Sequence, residues 1–335
     1  MKNWSATVKV FISIALVVVL VVTADVKEIA ATVVNFHLPW LLPVLFFIFF
    51  AVVISSFKWQ ALLGAQGMLI PFGKLFQYYT AGFFFNNFLP SSIGCDGVRV
   101  LLLKNEFKSY AGAASSVVME RILAAITLAL IGLAGSFFAA APERFAVIAL
   151  AAVFAAGVIL MLVLLTGFVP KSLAARAREI SPAETPAKFS GKLAKFALGW
   201  KNFACASVDL RKHPASLALC LVGSIAFQVT VALSQQMIVF GLHLSPIPWG
   251  DLFFVSAAAS VLAMIPLGVN GYGFREGGFI YLLAPLGYTS SEAFTISILF
   301  ALFVSVYSLL GAVFWVSCQR RQTRQTAQEG LPNET

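Results

Sequence analysis

Apolar residues run almost unbroken through 8–24, 39–57, 112–138, 146–169, 214–239 and 290–317. Each run approaches the ~20 residues an α-helix needs to cross a bilayer, so six full spans are predicted. Two further apolar regions, 74–103 and 250–287, are broken by polar and helix-disrupting residues. The first carries the segment from Phe88 to Arg99 and the second the segment from Met264 to Arg275. In both, a Gly follows a Pro by seven residues and an Arg by nine (Pro90, Gly97, Arg99; Pro266, Gly273, Arg275), and the two devices lie 176 positions apart. Pro removes a backbone donor, Gly favours irregular backbone, and Arg at membrane depth is costly, so these segments are not ordinary spanning helix. Pro90, Gly94, Gly97, Pro266, Gly271 and Gly273 are read as the residues that break two hairpins.

Charge in the connections then orients the chain, because Lys and Arg stay on the cytoplasmic side. Lys2 and Lys9 put the N-terminus inside; Asp25, Lys27 and Glu28 lie outside; Lys58 and Lys74 are inside again. Arg99, Lys104 and Lys108, against the single acid Glu106, also mark the inside, so the region 74–103 enters and leaves on one face. Glu143 and Arg144 are outside, and the loop 170–213, with nine Lys and Arg against Glu179, Glu184 and Asp209, is cytoplasmic. A connection without Lys or Arg around His243 and Asp251 is outside, while Arg320, Arg321 and Arg324 hold the C-terminus inside. The second broken region therefore starts and ends on the outer face. Residues 39–138 and 214–317 each read as span, re-entrant hairpin, span, in opposite orientations, which is the inverted-topology repeat of many transporters. The fold class is an all-α polytopic membrane protein. A single transmembrane domain covers 1–320 and a polar cytoplasmic tail 321–335. The competing reading makes each broken region one or two kinked spans. Only Val100 to Leu103 separate Arg99 from Lys104, a short return leg that would leave Arg99 shallow.

Composition agrees: of 335 residues 60% are hydrophobic and 11% charged, against roughly 25% charged in a soluble domain. No stretch is long and polar enough for a separate soluble catalytic domain, which excludes many enzymes. The net charge of +9 is spread over short loops, so it speaks for anionic lipid and against nucleic acid. Cys95, Cys205, Cys220 and Cys318 form no Cys-x-x-Cys pair, and neither a disulfide framework nor a metal or other cofactor is expected. Met1 to Ala24 has the build of a cleavable signal peptide, but a retained first helix fits the topology better. Within 170–213, Phe189, Leu193, Phe196 and Trp200 recur at helical spacing beside Lys188, Lys192 and Lys195. That pattern suits an amphipathic helix on an anionic leaflet, or equally a helix packed on the bundle.

The polar residues at or near membrane depth are Asn86, Asn87, Asp96, Arg99, Glu120, Arg121, Asn270, Arg275 and Glu276. Ionisable residues there face a cavity or one another, so each is a site candidate. Arg99, Arg121 and Arg275 offer planar forks of donors suited to phosphate oxygens, and Asp96, Glu120 and Glu276 could balance them or receive a cationic headgroup. Plainer roles compete. Asp96 and Arg99 could pair locally, Glu276 could simply neutralise Arg275, and Asn86 and Asn87 could satisfy carbonyls freed before Pro90. Trp59, Tyr78, Tyr79 and Trp249 read as interfacial anchors. His37, His213 and His243 fall in loops, and no nucleophile–base spacing is visible; a carboxylate such as Asp96 or Glu120 is the sole candidate base, and no enzyme activity is expected.

At these residues the chain resembles a known family. Phe85-x-Asn87-Phe88-Leu89-Pro90-x-x-Ile93-Gly94-x-Asp96-x-x-Arg99, then Glu120-Arg121, then Pro266-x-x-x-Asn270-Gly271-x-Gly273-x-Arg275-Glu276 are similar to the lysylphosphatidylglycerol synthase transmembrane, or flippase-like, family. The likeness spans about 8–317. Members are similar to the N-terminal flippase part of the bacterial multiple peptide resistance factor. The resemblance implies movement of an aminoacylated phosphatidylglycerol between leaflets of a bacterial inner membrane. The residues expected to meet the headgroup are Arg99, Arg121, Arg275, Asp96, Glu120, Glu276, Asn87 and Asn270. Where the family usually has Gly-Gly-Asp, this chain has Gly94-Cys95-Asp96. No part of it matches the soluble aminoacyltransferase domain, so synthesis of lysyl-lipid is not expected. Standalone members also occur beside pathways for glycolipids, polyprenyl-linked sugars and hopanoids. The expected function is thus an integral membrane lipid transporter whose partners are a phospholipid or other polar lipid and the membrane, with a homo-oligomer allowed. The alternative is a membrane-embedded transferase or an accessory of glycolipid or polyprenyl-lipid synthesis. An ion channel would need a ring of pore-lining charge that the sequence lacks.

Overall fold

Runs of apolar residues with no water to satisfy their backbone must close every hydrogen bond within themselves, and these runs become helices. The computed structural model describes residues 34–86, 93–103, 110–166, 203, 207–265 and 271–318. The apolar run 8–24, the amphipathic pattern at 188–200 and the tail 321–335 lie outside the described residues, as do Asn87, Pro90, Pro266 and Asn270. The helices are α1 (Leu41–Gly64, entered by a 3-10 turn at Leu38–Trp40), α2 (Phe72–Asn86), α3 (Ile93–Leu103), α4 (Tyr110–Ser136) and α5 (Arg144–Thr166). They continue with α6 (Pro214–Gly241), α7 (Trp249–Ala263), α8 (Phe274–Leu283) and α9 (Ser290–Ser308), after which helix resumes to Cys318. No strand occurs among the described residues. Five helices are long and apolar enough to cross a membrane: Leu38–Gly64, Gly112–Ser136, Arg144–Thr166, Pro214–Gly241 and Ser290–Cys318. The chain is a multi-pass helical membrane protein.

These five match five of the six expected spans within a few residues, with one informative exception. The first described span continues past Phe57 to Gly64, so Lys58, expected in a cytoplasmic loop, lies inside a helix and is buried. Each broken region is a pair of short helices, α2–α3 and α7–α8, between long ones.

The packing among the described helices is pseudo-symmetric. Exchange α1 with α6, α2 with α7, α3 with α8 and α4 with α9, and each contact between these eight helices maps onto another: α1–α2 onto α6–α7, α3–α4 onto α8–α9, α4–α7 onto α9–α2. The α1–α6 interface maps onto itself and is the most extensive among the described helices. Helix α5 stands outside this pattern, against α4 and α7. The core follows the same plan, with Val44, Ile48 and Val52 of α1 meeting Ala232, Ile238 and Val239 of α6.

Small residues set the closest approaches, as expected where lipid is as apolar as the side chains. A Cβ on Gly135 of α4 would come within 2.8 Å of the Gly250 carbonyl and 2.9 Å of the Phe254 nitrogen. The same α4–α7 contact is fastened at its end by Asp251, expected in a loop but buried in the first turn of α7, whose carboxylate accepts from the Ala140 N–H at 2.9 Å. Helix α9 begins with a capping box in which Thr289 and Glu292 satisfy each other's backbone N–H groups.

Candidate functional site

Helix α3 is too short to span a membrane and carries Asp96 and Arg99 one turn apart. The two side chains therefore share a face, and that face turns toward α4, where Glu120 and Arg121 follow one another. Adjacent helical residues point about 100° apart, so Glu120 and Arg121 take different partners. Glu120 receives Arg99, whose Nη2 donates to Oε2 at 2.5 Å. Arg121 grips Asp96 with a parallel fork, Nε to Oδ2 at 2.9 Å and Nη2 to Oδ1 at 2.9 Å. A longer Arg99–Asp96 contact of 3.4 Å joins the two pairs.

Arg99 is fully buried within the protein. Its guanidinium lies between the rings of Trp59 and Tyr79, at 4.1 and 4.3 Å from their centroids. These two aromatics are thus part of the charged cluster and not interfacial anchors, and Tyr78 is likewise buried; Trp249, by contrast, is exposed. Trp59 is itself held by an Nε1 hydrogen bond to Ser116 at 3.1 Å, and the Tyr79 hydroxyl donates to Glu120 Oε1 at 3.5 Å. Lys58 completes the cluster. Its ammonium is 4.0 Å from Glu120 Oε1, donates to Ser224 Oγ on α6 at 3.3 Å and sits 5.0 Å from the Phe227 ring. Its stem crosses Gly223, where a Cβ would come within 2.7 Å of Lys58 Cγ. Sequence reading passes over Lys58 because a charge after an apolar run resembles the end of a span. The signal that could have found it is the apolar stretch that resumes at Trp59 and continues through Leu62 and Leu63.

Beside this cluster lies a cavity of about 340 Å³ bounded by α1, α2, α3, α4, α6, α7 and α9, hence by both halves of the repeat. Its wall is mostly apolar, with Ser55, Tyr79, Gln228, Ser234 and Ser260 as polar exceptions. Arg121 lines it and keeps 47% of its side chain exposed there. A pocket of this size, apolar with a few convergent polar groups, fits a small ligand or the head of a larger one.

The second arginine is built differently. Arg275 Nη2 donates to the adjacent Glu276 Oε1 at 2.6 Å, and its Nε reaches the same oxygen and Ser297 Oγ, each at 3.2 Å. Glu276 is fully buried, and its other oxygen accepts the Gly273 N–H at 2.6 Å, which fixes the start of α8. Gly271 and Gly273 have φ of +76° and +88°, a region L side chains avoid, so this break does depend on glycine. Gly94 and Gly97 instead fall inside α3, and any break in the first half precedes Ile93. Neither Arg275 nor Glu276 lines the cavity, and among the described residues no ion pair or hydrogen bond links them to the Arg99 cluster. Arg275 is thus neutralised locally, by the carboxylate beside it.

The family profile described as the lysylphosphatidylglycerol synthase TM region matches residues 7–311, nearly the whole chain. The chain belongs to this family. No curated protein and no solved structure shows significant similarity to it. Membership of the lysylphosphatidylglycerol synthase TM family points to lipid-related work at the membrane, and the buried cluster with its cavity is the candidate place for it.

Proposed function

We propose that the chain is a lipid transporter of a bacterial inner membrane that moves a phospholipid or related polar lipid between leaflets, with both termini cytoplasmic. The pairs α2–α3 and α7–α8 serve as the re-entrant hairpins of an inverted repeat, and 8–24 supplies a sixth span. The observation that carries this reading is the placement of Arg121, an exposed guanidinium on the wall of an otherwise apolar cavity between two pseudo-equivalent halves. Repeat interfaces are where transporters bind cargo. A headgroup can enter there while its acyl chains remain among lipids, so the bilayer barrier falls only for the polar part.

A transferase is less well supported. It needs a general base, and both carboxylates of the cluster, Asp96 and Glu120, are committed to guanidinium partners. The deciding experiment reconstitutes the purified chain into liposomes holding acyl-labelled lipids and follows loss of outer-leaflet label to a membrane-impermeant quencher. Accelerated exchange that Arg121→Gln abolishes supports the proposal. Exchange at the protein-free rate for every lipid tested, with labelled product formed from a soluble donor, would replace transport by group transfer.

A further inference from the structure

The cluster has three cations, Lys58, Arg99 and Arg121, and two carboxylates, Asp96 and Glu120. Glu120 is shared among Arg99, Lys58 and the Tyr79 hydroxyl, and Asp96 is gripped by Arg121 and touched by Arg99. Counted with Lys58 protonated, the assembly carries one formal positive charge in excess at a depth where an unbalanced charge is costly. That excess has one outlet to the cavity. Asp96 occupies Nε and Nη2 of Arg121, which leaves Nη1 without a hydrogen bond among the described residues. The Asp96 fork holds the guanidinium plane fixed, so Nη1 is presented rather than searching. The other polar side chains of the wall, Ser55, Tyr79, Gln228, Ser234 and Ser260, are all neutral.

From this charge count we infer that the cavity selects lipid heads with a single net negative charge and neutral polar substituents, and rejects heads that carry an amine. The inference deepens the transport reading and rests on it for the cavity's role as the headgroup site. A phosphodiester monoanion at Nη1 brings the cluster to neutrality. A diphosphate overshoots by one unit and a zwitterion leaves the excess in place. An aminoacylated head with two ammonium groups raises it, since its phosphate supplies one negative charge against two positive ones. Such a head would also bring ammonium groups to a wall where no described carboxylate is uncommitted. The neutral hydroxyls and amide of the wall suit a hydroxylated head. Specificity here comes from the missing counter-charge as much as from the attractive one.

The test is lipid retention by the purified full-length chain in detergent, read by native mass spectrometry, with phosphatidylglycerol, phosphatidylethanolamine, lysyl-phosphatidylglycerol and undecaprenyl diphosphate offered at equal concentration. Phosphatidylglycerol should be retained about tenfold or more over each of the others, a modest demand on one unit of charge mismatch at low dielectric. Arg121→Gln should erase the preference. Gln228→Glu, which places a carboxylate on the cavity wall and leaves the cluster intact, should move retention toward lysyl-phosphatidylglycerol. Equal or better retention of the lysylated lipid by the unaltered chain overturns the inference; so does retention of none of the four, or a Gln228→Glu chain with unchanged preference. The same lipids in the liposome assay separate the two ideas. Selective retention without any exchange sinks transport and leaves the selectivity; equal exchange of lysylated and unmodified lipid sinks the selectivity and leaves transport.

Discussion

Arg99 and Arg275 end sequence segments of the same Pro, Gly and Arg spacing yet take their carboxylates from different sources: Arg99 from Glu120 on the long helix α4, Arg275 from Glu276 beside it on α8. The 176-residue offset that relates the two arginines also relates Arg121 to Ser297, which contacts Arg275 from α9. At that offset in the sequence the second half has a hydroxyl and the first half its cavity-facing cation. The repeat has one arm built for charge display and one built for self-neutralisation.

If the second arm is structural, its carboxylate should matter for folding. Glu276→Gln leaves the partly buried Arg275 without its counter-ion and weakens the acceptor for the Gly273 N–H at the start of α8. Breaking one side of a buried pair costs ~3–5 kcal/mol. Thermal unfolding in detergent should show a clearly lowered midpoint, and Arg275→Met combined with Glu276→Gln should recover much of it. A double variant no more stable than Glu276→Gln would mean that the Gly273 contact, not the ion pair, is what Glu276 supplies.

Lys58 gives the converse case. Lys58→Met keeps a long apolar stem over Gly223 and removes one positive charge, so the cluster becomes formally neutral at a point away from the cavity wall. The folded chain should persist with an unfolding midpoint within a few degrees of the original, while retention of phosphatidylglycerol falls several-fold. Undiminished retention would show that Arg121 acts alone and that the total charge of the cluster is immaterial.

Most of the architecture is legible in the sequence, and the limits have physical causes. Hydropathy places five spans within a few residues because helix length and bilayer thickness are tied together. The same rule misplaces Lys58, since a lysine after an apolar run looks identical whether it ends the span or is buried against a partner such as Glu120. Pattern also singles out Asp96, Arg99, Glu120 and Arg121 as polar residues in apolar surroundings. It cannot say who pairs with whom, because Glu120 is 21 residues from Arg99 and Arg121 is 25 from Asp96, and only the folding of α3 against α4 joins them. Trp59 and Tyr79 mislead for a related reason: an aromatic next to a span boundary suits an interface or an arginine equally well until the arginine's position is known.

Two glycines of the first half offer an internal control. A Cβ on Gly82 of α2 would lie 2.9 Å from Arg99 Cγ and 3.0 Å from the Cys95 carbonyl oxygen, and the latter is backbone that cannot swing away. Gly82→Ala should push α3 off α2, cost ~1–3 kcal/mol as overpacking does, and reduce lipid exchange with it. Gly97 is helical and exposed, and a Cβ added to it would meet nothing within 4 Å, so Gly97→Ala should be neutral or stabilise by ~0.5–1 kcal/mol. Paired thermal unfolding curves would check both; equal losses would mean that Gly97 serves something other than helix packing.

The aromatic clamp on Arg99 distinguishes stacking from hydrogen bonding. Trp59→Phe keeps a ring over the guanidinium and loses the Nε1 bond to Ser116, a change of about 1 kcal/mol. Trp59→Leu loses the ring as well. A desolvated cation–π contact contributes about 2 kcal/mol, and the smaller side chain leaves a void beside a charge that must remain paired with Glu120. Leu should therefore lower the unfolding midpoint well beyond Phe. It should also weaken phosphatidylglycerol retention, because a loosened Arg99 draws on Asp96, and Asp96 sets the plane of Arg121. Should Phe prove as harmful as Leu in both measurements, the anchoring of Trp59 to Ser116 would outweigh the ring's contact with Arg99.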